Sequence, residues 1–211
     1  MRGRTVGFVT AGAVVAIGIG VGILGLNSMN ATPQYEAASR VPVAPLAPSA
    51  HPVSAAQPVS VTVPVVGLET EVDVQPPAVE GVLTPPEADT ATWLDDRGLA
   101  GADSSDTVYL LGHSAQYGGG AFDPLVDREQ LKSTVMPGDE IVVETAEGAV
   151  VYQVVSTEFY GSAELSSIPK VWGESAGRLV LVTCLFDADG NRIEQNLVVF
   201  ARIAPESADE Q

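Results

Sequence analysis

The sequence predicts a mostly β domain, a barrel or sandwich of about seven or eight strands with one or two short helices. Three observations carry that expectation. Valine-rich apolar runs, each about as long as an ordinary strand, alternate with Gly, Pro and Asp turns through the second two-thirds of the chain. Helical periodicity is weak, and no repeat of solenoid or propeller length is visible. Apolar residues make up 45% of the chain and charged residues 18%, which supplies a core and excludes wholesale disorder.

Taken in order, the strand signals begin with residues 59–66, Val-rich and alternating, and 69–74, where acid or Thr alternates with Val. A short apolar run over 107–111 ends at Gly112. Residues 140–144 follow the turn Met136-Pro137-Gly138-Asp139, and 149–157 follow the turn at Gly148. Residues 178–185 are almost continuously apolar, and 197–203 form the last strand. Residues 91–97 and 123–132 carry the helical signals, the second with acid near its start and Lys132 near its end, as the helix dipole favours.

The 211 residues leave room for this domain and for accessory segments. Residues 1–5 form a short N-terminus with Arg2 and Arg4. Residues 6–26 form an uncharged run of 21, enough to span a hydrocarbon core of roughly 30 Å. With Arg only on its N-terminal side, this run reads as a single-pass anchor with a cytoplasmic N-terminus and everything after it exported. A cleaved signal peptide is the competing reading, and its apolar stretch is usually shorter. Residues 27–58 contain six prolines and almost no charge, so they read as an extended stalk, with His51 an exposed stalk residue. The domain occupies 59–205, and 206–211 is a polar tail.

Acidic residues outnumber basic ones 27 to 10, a formal charge of −17. That balance excludes a nucleic-acid partner, because phosphate binding needs a concentrated positive surface. A single cysteine rules out an internal disulfide framework and a multi-cysteine zinc site. No loop has calcium-ligand spacing, and neither metal nor cofactor is expected. The thiol is therefore a small core residue or a reactive group. His113 follows the run 107–111 beside the Gly-rich stretch 118–120, and Cys184 ends the run 179–183 just before the loop 187–191. An imidazole beside a thiol stabilises the thiolate and makes it a nucleophile. From pattern alone, a core cysteine with an unrelated histidine stands level with that reading.

Several motifs resemble those of the sortases, the cysteine transpeptidases that attach proteins to the bacterial cell wall. Leu110-Leu111-Gly112-His113-Ser114 is similar to the block carrying the family's catalytic histidine, and Phe122 to Leu125 matches the F-x-x-L after it. Pro137-Gly138-Asp139-Glu140-Ile141 resembles a P-G-D-x-I turn. Leu181-Val182-Thr183-Cys184 matches the L-x-T-C of the nucleophile, and Asn196 to Ala201 resembles the closing strand. Trp93 and the Asn196 ending lean toward the class F group of actinobacterial sortases.

The resemblance implies an eight-stranded sortase-type barrel in which Cys184 attacks the Thr-Gly carbonyl of an LPXTG-like sorting signal on a surface protein. A thioacyl intermediate forms, His113 protonates the leaving amine, and an amine of a peptidoglycan precursor or pilin resolves it. One departure stands out. Family members place a substrate-holding arginine at the position of Asn196 or, in the class F pattern, of Glu194. Arg192 is then the expected donor to the oxyanion, brought in by a shift or bulge in the last strand, with Arg178 and Arg202 as fallbacks. Three rivals remain: an L,D-transpeptidase, whose His normally lies close before its Cys rather than 71 residues away; a non-enzymatic surface β-domain; and a sortase-like domain with little or no turnover.

Overall fold

The computed structural model describes residues 52–76 and 83–205; the expected anchor, most of the expected stalk and the polar tail lie outside them. Ten strands appear among the described residues: β1 (Pro58–Val63), β2 (Leu68–Val74), β3 (Ala91–Trp93), β4 (Val108–Leu111), β5 (Val126–Asp127), β6 (Lys132–Ser133), β7 (Glu140–Thr145), β8 (Gly148–Gly161), β9 (Arg178–Phe186) and β10 (Arg192–Ile203). Eight of them close a barrel in the order β1-β2-β3-β4-β9-β10-β8-β7, while β5 and β6 form a small hairpin beside it. Only β2–β3 and β4–β9 pair in parallel within the barrel. Closure leaves no free strand edge in the sheet.

Strand alternation divides the side chains between two cores. Val61, Val63, Leu110, Ile141, Val143, Tyr152, Leu179, Leu181, Leu197 and Val199 fill the barrel. The intervening residues Tyr109, Leu111, Val180, Val182, Val198 and Phe200 point outward into a second cluster, closed by Leu165, Ile168 and Trp172. That cover is built from a 3-10 turn (Leu165–Ser167) and the one-turn helix α1 (Pro169–Trp172). Tyr109 fastens it, stacking on Trp172 with ring centroids 5.1 Å apart and donating its hydroxyl to the Val171 carbonyl at 2.7 Å. A register shift opposite Phe200/Ala201 leaves Val155 unpaired in β8. Beyond this bulge the alternation of β8 reverses, so Phe159 joins the barrel core and Tyr160 the outer cluster.

Two local expectations are corrected. Residues 91–93 form β3, not a helix; Ala91 and Trp93 enter the barrel core while Leu94 joins the outer cluster. Here β-branched and aromatic residues buried on both faces outweigh a weak helical period. Residues 123–132 form a 3-10 turn (Asp123–Leu125) and then the β5–β6 hairpin. Asp127 explains the turn, because its carboxylate accepts the N–H groups of Glu129 and Gln130 at 3.1 and 3.0 Å and competes with helical bonding. The α-helix among the described residues is α1, outside both of those segments.

Candidate active site

The site grows from the parallel pair β4–β9. Leu111 lies opposite Val182, and the Gly112 N–H donates to the Val182 carbonyl at 3.1 Å. Two residues further along each segment stand His113, just past the end of β4, and Cys184, still within β9, so the two lie at the same level along the sheet. On the next ladder Cys184 pairs with Asn196, and Asn196 pairs with Tyr160 of β8. Alternation puts Cys184 and Asn196 on the outer face, in line with Val182 and Val198. The α1 cover closes one end of this face, and the candidate residues occupy the other.

His113 is held by short-range geometry that only small residues permit. A Cβ on Gly112 would lie 2.5 Å from the Phe122 ring, and one on Gly120 would lie 2.5 Å from the His113 carbonyl oxygen. The loop therefore folds tightly back, and the Phe122 N–H donates to the His113 carbonyl at 2.9 Å. Asp123 organises the loop: its carboxylate accepts from Ser114 Oγ at 2.8 Å, from the Ala115 N–H at 2.9 Å and from the Gly120 N–H at 2.7 Å. Arg128 pairs with Asp123 at 2.6 Å and also donates to the Ala115 and Gln116 carbonyls.

The imidazole of His113 donates its Nε2 proton to the Pro85 carbonyl at 2.9 Å. A carbonyl only accepts, so this bond fixes the tautomer and leaves Nδ1 as the nitrogen free for proton exchange. The segment carrying Pro85 is itself tied down. Gln75 Nε2 donates to the Thr84 carbonyl at 3.0 Å, and the Ala121 N–H donates to the Ala88 carbonyl at 2.7 Å.

The last strand departs from regular pairing where the sequence led us to look for a bulge. Ile193 lies opposite Leu185 and Asn196 opposite Cys184, so Glu194 and Gln195 are two extra residues in β10. Arg192 lies beyond them. Its Nη1 donates to the carbonyls of Leu185, Ile193 and Gln195, and its Nη2 to Ser162 Oγ at 3.4 Å. Its guanidinium also lies 5.9 Å from the Phe186 ring centroid, with Arg128 on the same ring at 6.0 Å. None of the hydrogen bonds of Arg192 among the described residues reaches Cys184. The fallback arginines lie elsewhere: Arg178 and Arg202 pair with each other at the far ends of β9 and β10. Six residues of strand separate Arg178 from Cys184, about 20 Å. Arg178 there donates to the Lys170, Val171 and Gly173 carbonyls and to Thr107 Oγ1, anchoring the α1 cover.

Beyond the rim, the loop after His113 and the loop between β9 and β10 enclose an open cleft of about 520 Å³, lined by Gln116, Tyr117, Asp123, Arg128 and Asp189. A Cβ on Gly190 would lie 3.0 Å from Gln116 Cγ, so the two loops touch there. Among the described residues no cluster of His, Cys, Asp and Glu has the makings of a metal site.

A model of the sortase domain matches residues 61–204, about two-thirds of the chain. The chain belongs to the sortase family. Solved sortases share the fold at low identity. Sortase A of Listeria monocytogenes is 20% identical over 72% of this chain and 89% of that one, with a TM-score of 0.51. A lid mutant of sortase A from Corynebacterium diphtheriae is 15% identical over 77% and 76%, with a TM-score of 0.51. The pilus-related sortase C of Group B Streptococcus is 14% identical over 73% and 71%, with a TM-score of 0.50. No curated protein matches the chain.

Four residues that hold the candidate groups escaped the sequence. Ser162 and the Pro85 carbonyl are remote in sequence from the groups they hold, and nothing local marks them. Asp123 and Arg128 lie in and just after a motif in which only Phe122 and Leu125 stood out; the alternation of acid and base five residues apart was the available signal.

Proposed function

We propose that this sortase is a class F-like transpeptidase that cleaves an LPXTG-like sorting signal and joins the protein bearing it to an amine of a peptidoglycan precursor or pilin. The observation that carries this reading is the common level of His113, just past the end of β4, and Cys184 in the parallel neighbour β9, each two residues beyond the paired Leu111 and Val182. The Cys184 thiolate attacks the Thr-Gly carbonyl carbon, and the carbonyl π pair moves to oxygen. Collapse of that tetrahedral adduct expels the glycine amine, which takes a proton from His113, and leaves a thioacyl enzyme. The acceptor amine then attacks the thioester, gives its proton to His113 and releases Cys184 as thiolate. Because Nε2 of His113 is committed to Pro85, Nδ1 carries that proton in both directions. Arg192 supplies the positive charge of the site. Residues 6–26 hold the domain at the outer face of the cell membrane, and the stalk that follows spaces it from that surface. The stalk ends before Val53, since Val53 packs on the barrel core and Ala56 bridges to Ala100.

A second reading has one observation behind it. With Glu194 and Asn196 at the positions where the family resemblance expects arginine, the domain is a sortase-like surface module with little or no turnover. Incubation of the full chain with an LPXTG peptide and an amine acceptor separates the two. The transpeptidase reading expects cleavage between Thr and Gly and a peptide–amine product, both lost in Cys184→Ala. Absence of cleavage over a library of sorting peptides favours the second reading. Protease added to wall-stripped cells should remove the domain; recovery of the protein in the medium, starting near residue 31, would contradict the anchor.

A further inference from the structure

We propose that Asn196 donates the hydrogen bond that holds the oxyanion at Cys184, and that Arg192 is a positioning residue acting on it through Ser162. The proposal rests on the transpeptidase reading for its substrate. When the Cys184 sulfur bonds to an acyl carbon, the carbonyl π pair becomes a lone pair on oxygen, and a donor fixed in place lowers the energy of that charge. Three placements of arginine compete for that role. Arg178 and Arg202 are about 20 Å along the strands. Arg128 is spent on Asp123 and two carbonyls of the His113 loop. Arg192 directs Nη1 at three backbone carbonyls and Nη2 at Ser162 Oγ, which ties its guanidinium to the backbone around the bulge and to Ser162.

Asn196 has none of these handicaps. It is the residue opposite Cys184 in the ladder, it lies on the same face, and it is only 8% exposed. Its Nδ2 carries two hydrogens, one of which goes to Ser162 Oγ at 3.1 Å. The other has no partner among the described residues and is left to donate. Ser162 is fixed in turn: its N–H donates to the carbonyl of Glu194, one of the two extra residues of β10, and its Oγ also accepts from Arg192 Nη2. The bulge thus turns Arg192 onto the serine that orients Asn196. A charge that most family members apply directly is applied here at one remove, through a neutral carboxamide.

Two reactions of the same thiol test this in the full chain. Acylation by 4-nitrophenyl acetate passes through a tetrahedral oxyanion and releases 4-nitrophenolate; alkylation by iodoacetamide displaces iodide at a saturated carbon and forms no oxyanion. Asn196→Ala should slow acylation by about 100-fold and leave alkylation unchanged. Asn196→Asp, an acceptor of the same shape, should behave like the alanine variant. Ser162→Ala and Arg192→Ala should each slow acylation by about tenfold, the size of one lost orienting bond, and neither should slow it further in an Asn196→Ala background. Undiminished acylation in Asn196→Ala overturns the assignment, as does an equal loss of both reactions. Additive losses overturn the role of Arg192. Dependence on Asn196 in a protein that cleaves no LPXTG peptide sinks the sorting reading and leaves the donor assignment standing.

Discussion

Asn196 stands directly across the β9–β10 ladder from Cys184. The same row continues to Tyr160 on β8 in one direction and, in the other, to the level of His113, two residues past the end of β4. Three adjacent strands therefore deliver a thiol, a carboxamide and a phenol to one row of the sheet, and the loop after β4 brings His113 to its level. Tyr160 is held out of proton transfer. Burial and the bond from its hydroxyl to Glu158 at 2.5 Å push it up to about 12. It stays protonated at any ordinary pH and serves as a donor to Glu158.

The tight return of the His113 loop depends on Gly112. Gly112→Ala places a methyl within the Phe122 ring, which is fully buried, and overpacking of this kind typically costs about 1–3 kcal/mol. The variant should melt at lower temperature and lose peptide cleavage out of proportion, since the shift acts on the residue before the imidazole. A variant with wild-type melting and cleavage would show that the loop relaxes freely.

Thr183 is the reverse case. Its hydroxyl is buried and has no hydrogen-bond partner among the described residues. Thr183→Val keeps the shape and removes the unpaired group, so it should stabilise the domain by about 1 kcal/mol, within the usual cost of such a group. Differential scanning calorimetry reads this as a rise in Tm. A fall instead would mean that the hydroxyl is bonded in solution.

Acid stability should depend on Asp106. The Arg97 guanidinium, bonded to it at 2.7 Å, holds its carboxyl below the usual carboxylate range. Arg97 also lies 4.5 Å from the Tyr109 ring centroid and donates to the Trp172 carbonyl, so the pair braces the α1 cover. Because the folded-state value is depressed, this stabilisation is complete above about pH 4, the ordinary aspartate value, and is lost as pH falls through the lowered one. Asp106→Asn should reduce stability at pH 7 and flatten the acid limb of a stability-against-pH curve. An unchanged acid limb contradicts the assignment.

The barrel was legible because its strands carry their period on the surface of the sequence. Residues 140–144 and 197–203 alternate or run apolar between unmistakable turns, and each became part of a strand. β3 was not legible: three residues buried on both sides show no period, and their strand character comes from Val72, Asp73 and Val74, with which they pair. Cys184 and His113 stood out through the motifs around them, since the pattern of a lone cysteine and a histidine after an apolar run left a core role equally open. Their common level follows from a parallel pairing that no local pattern encodes. The bulge in β10 was expected in kind, but its consequence depends on Ser162, thirty residues earlier than Arg192.

The most direct test of the account is the intact mass of the full chain after reaction with an LPXTG peptide in the absence of an amine acceptor. The transpeptidase reading predicts a single added acyl group, equal in mass to the peptide up to its threonine less water, located on Cys184 by peptide mapping and removed by hydroxylamine. Cys184→Ala should show no adduct, and His113→Ala should form little or none. An adduct that persists in Cys184→Ala, or a wild-type chain that stays unmodified by every sorting peptide while its thiol reacts with iodoacetamide, would contradict it.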